Sequence, residues 1–192
     1  MESKSKESEA SPIIFDSAVL SNFAIAQVFH VLQRLYTGRA FVPKAVQREI
    51  QARIKGASTC ASAKNLTQLE EINQALNCGW LQIPPEQVNP NDDAIELRLQ
   101  LEYSKRFSMG ESEAMAIARN RNWVFASDDG AARNFAKERD IRLTGTLGIL
   151  IKAVQTKILC LSLADLIHAQ MIDEGYCSPL SYENGISSYR NL

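Results

Sequence analysis

The sequence predicts an α/β protein, a three-layer α/β/α sandwich around a central, mostly parallel sheet. Three observations predict it. The apolar runs in "PIIFD", "AFV", "WLQIP" and "WVFAS" are too short for helices and read as strands buried on both faces. Each leads into a longer segment whose apolar residues recur at helical spacing. Glycine, proline or capping residues stand at the joins. Strands alternating with helices in this way form a parallel sheet covered on both sides.

The elements follow in order. Residues 1–11, rich in Ser, Lys and Glu, have nothing to bury and read as a disordered tail, leaving 12–192 as a single domain. "PIIFD" is the first strand and ends at Asp16. "SAVLSNFAIAQVFHVLQRLY" keeps a helical apolar period throughout and reads as one helix, closed by Gly38. "AFV" is the second strand, and Pro43 suits the first turn of the helix "PKAVQREIQARIK". A helix from about Ser58 to Leu76 leads to the strand "WLQIP". Pro84, Pro85 and Pro90 mark a surface connection before "NDDAIELRLQLEYSKRF", a helix opened by capping residues. Gly110 separates it from the helix "ESEAMAIARNRN". Then come the strand "WVFAS", the helix "DGAARNFAKERD", the strand "IRL" and a helix from Thr146 to Gln155. "SLADLIHAQMIDEGYCSP" reads as a last helix with an edge strand.

Composition narrows the function classes. With 192 residues, 45% hydrophobic and 22% charged, the chain can bury a substantial core. No apolar run approaches the roughly 18 to 20 residues that span a bilayer, and "MESKSKESEAS" lacks the apolar centre of a secretory signal, so no membrane partner and a cytoplasmic location are expected. The net charge of -1 gives no global attraction for a polyanion. A nucleic-acid ligand would need local basic residues or bound metal. Cys60, Cys78, Cys160 and Cys177 form no C-x-x-C pair and are expected to be reduced structural thiols. His30 and His168 lie in no zinc or triad pattern and read as packing or surface residues.

The chemistry lies in the acids. In open parallel sheets ligands bind beyond the carboxyl ends of the strands. Asp16 ends the first strand and Asp128 the fourth; if those strands are central neighbours, the two carboxylates meet in one cleft. With Val46 as the zero of a helical wheel, Ile50 and Ile54 fall at about 40° and 80° and Glu49 at about 300°, bordering the buried stripe. In "GESEAMAIA", Glu111 falls inside the arc of Ala114, Met115 and Ala118, with Glu113 as the backup. Converging carboxylates raise one another's pKa, a penalty that a divalent ion removes. An all-oxygen site without His or Cys suits Mg²⁺ or Mn²⁺ and implies phosphodiester hydrolysis. A phosphatase of the haloacid dehalogenase type would need a second Asp two positions after the first, and Ser17 and Ala18 follow Asp16 here.

The blocks "IIFDSAVLSNFA", "VPKAVQREI", "GESEAMAIA" and "VFASDDGAARNFAKERDIRLTGTLGILIKAVQ" together resemble a PIN-domain protein of the VapC-like toxin ribonuclease type. The likeness covers about Pro12 to Pro179, and its last block is the most specific. It implies a metal-dependent ribonuclease acting on RNA, commonly the toxin of a toxin–antitoxin pair, with a small antitoxin protein and a second copy of the chain as partners. It assigns the acidic positions to Asp16, Glu49, Glu111 and Asp128, with Asp129 and Ser127 as supporting ligands and Ser17 orienting a water. Ser127 stands where threonine is common, and the stretch from Cys78 to Gly110 is long enough for an additional helix. Arg133, four or five residues past the paired aspartates, is the basic residue expected to meet RNA. The competing reading is a non-catalytic module of the same fold that binds RNA or a protein.

Overall fold

A computed structural model describes residues 11–56, 63–180 and 185–188, with the side chains of 63–65 excepted. The proposed tail up to residue 10, the start of the helix expected near Ser58, and Cys60 lie outside the described residues. Five strands form one parallel sheet: β1 (Ile13–Phe15), β2 (Ala40–Phe41), β3 (Leu81–Gln82), β4 (Val124–Ala126) and β5 (Arg142–Thr144). Their order is β3-β2-β1-β4-β5, so β1 and β4 are central neighbours as the acid argument required. Phe15 pairs with Ala126, which sets Asp16 opposite Ser127 at the carboxyl edge.

Alternation along the strands sorts the core into two layers. Ile13, Phe15, Ala40, Val42 and Ala126 join one apolar cluster, while Ile14, Phe41 and Phe125 join the other. The first cluster is completed by α1 (Ser17–Ile25), α2 (Phe29–Tyr36), α3 (Lys44–Gly56), α4 (Ala63–Asn77), α8 (Thr146–Gln155) and α9 (Leu161–Asp173). The second is completed by α5 (Pro90–Tyr103), α6 (Met109–Arg121) and α7 (Gly130–Lys137). This is the α/β/α sandwich the sequence predicted, and α5 is the additional helix between Cys78 and Gly110.

Three expectations change. The first long helical stretch is two helices, α1 and α2, because Gln27 adopts a left-handed φ of 57°. The amide of Gln27 donates to the Ala24 carbonyl and that of Val28 to Phe23, a closed helix terminus that the apolar period runs straight through. Gly110 does not precede α6 but sits in its first turn, after Ser108 as N-cap. No edge strand follows α9 among the described residues; a 3₁₀ turn, Ile186–Ser188, packs there instead. Cys78, Cys160 and Cys177 are free, as expected, but exposed rather than buried in the core. His168 is a packing residue, buried and hydrogen-bonded to Ser178. Among the described residues no helix is long and apolar enough to cross a membrane.

Candidate functional site

Asp16 is the first residue past β1 and the N-cap of α1, its Oδ1 accepting from the Ala18 amide. It is only 4% exposed. Its Oδ2 accepts from the Ser127 hydroxyl at 2.5 Å, and the same hydroxyl oxygen accepts from the Asp129 amide at 3.2 Å. Ser127, fully buried, therefore ties the ends of β1 and β4 together. Above this tie opens a cleft of about 390 Å³ whose polar lining comes from Asp16, Ser17, Glu49, Ser108, Glu111 and Asp129.

Each wall has a local cause. Glu111 is the third residue of a capping box: Ser108 Oγ accepts from the Glu111 amide at 3.3 Å, and Glu111 Oε2 accepts from the Ser108 amide at 3.0 Å. That reciprocal pair fixes its carboxylate at the mouth of the cleft. Gly110 lets α6 approach α3, since a Cβ there would lie 2.6 Å from Val46 Cγ2. Glu49, exposed on α3, reaches Arg53 at 3.8 Å. Glu113 turns away: its two oxygens accept from the Lys44 and Ala45 amides at 3.1 and 2.8 Å, supplying acceptors for the open N-terminus of α3.

The paired aspartates separate. Asp129 lines the cleft and is also the N-cap of α7, its Oδ1 accepting from the Ala132 amide at 2.6 Å. Asp128 turns instead to α1 and α8, where Oδ1 accepts from the Thr146 amide at 2.9 Å. Its Oδ2 accepts from Thr146 Oγ1 at 2.5 Å and Asn22 Nδ2 at 3.0 Å. The expectation that Asp128 faces Asp16 across the cleft is thus not met. The cause is the period of two carried past the strand: Asp16, Ser127 and Asp129 share one parity, and Asp128 has the other.

Arg133 does not reach the cleft either. Its Nη1 donates to the Ser127 and Thr144 carbonyls, both at 2.7 Å, tying β4 to β5. Gly145 makes room for this arrangement: a Cβ there would sit 2.6 Å from Asp128 Oδ1 and 2.9 Å from Arg133 Nη1.

Ionising the cleft is costly at its buried end. Burial pushes the Asp16 carboxyl from its ordinary 3.8 up to about 6; the Ser127 hydroxyl and Ala18 amide pull it back, and the Glu111 and Asp128 carboxylates push it up further. The cleft donors are carboxylate and hydroxyl oxygens without sulfur or imidazole, a set that fits a hard divalent ion. Among the described residues, however, no group of three or more His, Cys, Asp or Glu is drawn together tightly enough to hold a metal. Local bonds account for this, since Glu111, Asp129 and Glu49 each have an oxygen engaged by their own helix.

A family model described as PIN domain matches residues 12–190. The chain belongs to the PIN-domain family. Comparison with curated proteins and with solved structures gave no match. Within this PIN domain, the residues that sequence reading missed are Asn22 and Thr146, which hold Asp128, and Gly145, which leaves room for it. The "GTLG" run carried that signal, because a glycine beside a helix-opening threonine suits a close approach to a carboxylate.

Proposed function

We propose that this PIN domain is a Mg²⁺- or Mn²⁺-dependent ribonuclease that hydrolyses RNA phosphodiester bonds in the cleft above Ser127. The observation that carries this reading is the convergence of Asp16, Glu49, Glu111 and Asp129, from four separate elements, on one cleft at the carboxyl edge of a parallel sheet. In it the fourth ligand is Asp129, and Asp128 is a positioning residue that holds the β4 end against α1 and α8. A divalent ion bound by these carboxylates supplies Lewis acidity and charge neutralisation at a phosphate. Asp16, oriented by Ser127, and Glu111, oriented by Ser108, form the rigid half of the ligand set. Glu49 swings in from α3 by leaving Arg53. Ser17, beside Asp16 in the cleft, orients the attacking water.

Purified protein is incubated with RNA and Mg²⁺, with and without EDTA. Cleavage is expected only without chelator, and Asp16→Asn and Asp129→Asn each lower it by two orders of magnitude or more while the melting transition persists. Unchanged metal-dependent cleavage in Asp16→Asn sinks the reading, and unchanged cleavage in Asp129→Asn returns the fourth position to Asp128. The biological role that fits is the toxin of a toxin–antitoxin pair, with a small antitoxin protein covering the cleft. A short reading frame beside the gene, whose product suppresses cleavage on co-expression, is the expected sign.

A second reading, a non-catalytic RNA-binding or interaction module, is favoured by the locally engaged carboxylates of Glu111, Glu49 and Asp129. Under it the protein binds RNA but shows no turnover with either ion.

A further inference from the structure

Across the Asp128–Asp129 pair from the cleft lies a larger pocket of about 600 Å³. Four half-buried aliphatic side chains form its collar: Leu143 of β5, Leu147 and Ile151 of α8, and Leu180 beyond α9. Arg133 and Asp128 supply charged groups to the same lining. Both N–H groups of Arg133 Nη1 are used by the Ser127 and Thr144 carbonyls, which hold the guanidinium plane in place. Its Nε and Nη2 donors have no protein acceptor among the described residues. Thr144, Tyr176 and Ser178 also line it, so the slot is mixed, an aliphatic collar beside a guanidinium anchored through Nη1 with Nε and Nη2 unused.

What fits such a slot is limited by chemistry. A phosphate would match the donor pair but would face the Asp128 carboxylate and four aliphatic groups. A flat, neutral base satisfies the collar, and its edge must present two adjacent acceptors. Guanine does so with O6 and N7, the edge that arginine reads bidentately, whereas adenine sets an amino donor beside N7. Asp128 lines this pocket and the next residue, Asp129, lines the cleft.

We propose that this pocket receives a guanine base of the RNA strand whose phosphodiester lies in the cleft, with Arg133 as the specificity-determining residue. The inference rests on the ribonuclease reading for its biological substrate, but binding can be tested without catalysis. The full chain is titrated in EDTA with 5′-GMP and with 5′-AMP, followed by NMR or calorimetry. GMP is expected to bind on the order of tenfold more tightly than AMP. Ile151→Trp, which fills the slot from its rim, is expected to abolish the preference. Circular dichroism and melting check its fold, and Leu180→Trp fills the same slot from outside any helix or strand. Equal affinities for the two nucleotides, or a preference that survives in a folded variant with the slot filled, overturn the proposal. Hydrolysis of bis(p-nitrophenyl) phosphate with Mn²⁺ by the unaltered protein reads the cleft alone, because that diester carries no base. Failure there with GMP preference intact removes the nuclease reading and leaves the guanine pocket standing.

Discussion

Replacing Asp16 by Asn should make the protein more stable at pH 8 and leave its stability nearly unchanged at pH 4. The side chain is 4% exposed, and its carboxyl titrates at about 6 instead of 3.8, with burial as the largest cause. Between those values the folded chain holds a proton that the unfolded chain has released, so stability falls as pH rises. The loss is complete above about pH 6 and amounts to about 3 kcal/mol at 1.36 kcal/mol per pH unit. Asparagine keeps the local geometry, since its oxygen accepts from Ala18 and its amide donates to Ser127. Thermal melting in EDTA across pH 4 to 8 reads the difference between variant and unaltered protein. For a chain of this length about 3 kcal/mol corresponds to roughly 6 to 12 °C in Tm. Adding Mn²⁺ at pH 8 should raise the Tm of the unaltered protein and not that of Asp16→Asn. A difference that is the same at pH 5 and pH 8 would refute the reasoning, because the stabilisation would then not come from an ionised, buried Asp16.

Other outcomes follow from the same network. Gly145→Ala should cost about 1 to 3 kcal/mol in denaturant unfolding through overpacking against Asp128 and Arg133; its φ of -166° is open to any residue, so a neutral result would mean the strand end can shift freely. Arg121→Met should cost roughly 3 to 5 kcal/mol, since it strands the nearly buried Glu96 that Arg121 grips at 2.6 and 2.8 Å. Adding Glu96→Leu should recover much of that loss. For Glu96 burial acts upward, but the bonds from Arg121, Asn120 and Gln87 outweigh it and hold the carboxyl below its usual range, so this part of the stability is lost as pH falls. His168 is held below its ordinary 6.5 by burial, with Asp165 opposing; the unfolded chain takes up a proton first, and stability falls as pH drops below about 6.5. His168→Gln should flatten that limb of the melting profile. Its slope is opposite in sign to that of Asp16 over an overlapping window, so each is read as variant minus unaltered protein.

The sheet was legible because strands buried on both faces leave uninterrupted apolar runs, whereas the central pairing of β1 with β4 entered the sequence reading only as a condition and was supplied by the structure. The break at Gln27 was not legible: helix termination there is made by backbone bonds to Phe23 and Ala24, with neither glycine nor proline to mark it. The helical wheel already preferred Glu111 to Glu113; what it could not show is why Glu113 turns away, to accept from the amides that open α3. The parity of Asp129 was available in principle, since two steps from Ser127 restores the face of Asp16. It was missed because Asp128 was taken as the residue that ends the strand and Asp129 as the start of the next helix. The exposed cysteines show the limit of composition, as their spacing in sequence gave no measure of depth.

The Asp128 anchor also has a consequence for when the cleft can exist. Its partners are Asn22 and Thr146, 106 and 18 positions away along the chain, and β1 finds its partner β4 only after Ala126 has been made. A nascent chain that has emerged as far as residue 120 already carries Asp16, Glu49 and Glu111. It lacks β4, Ser127 and α8, so Asp16 has no Ser127 hydroxyl to hold its second oxygen and Asp129 is missing from the cleft. Closure of such distant contacts comes late and slowly. During translation the cleft thus stays unassembled until Thr146, at the start of α8, has emerged.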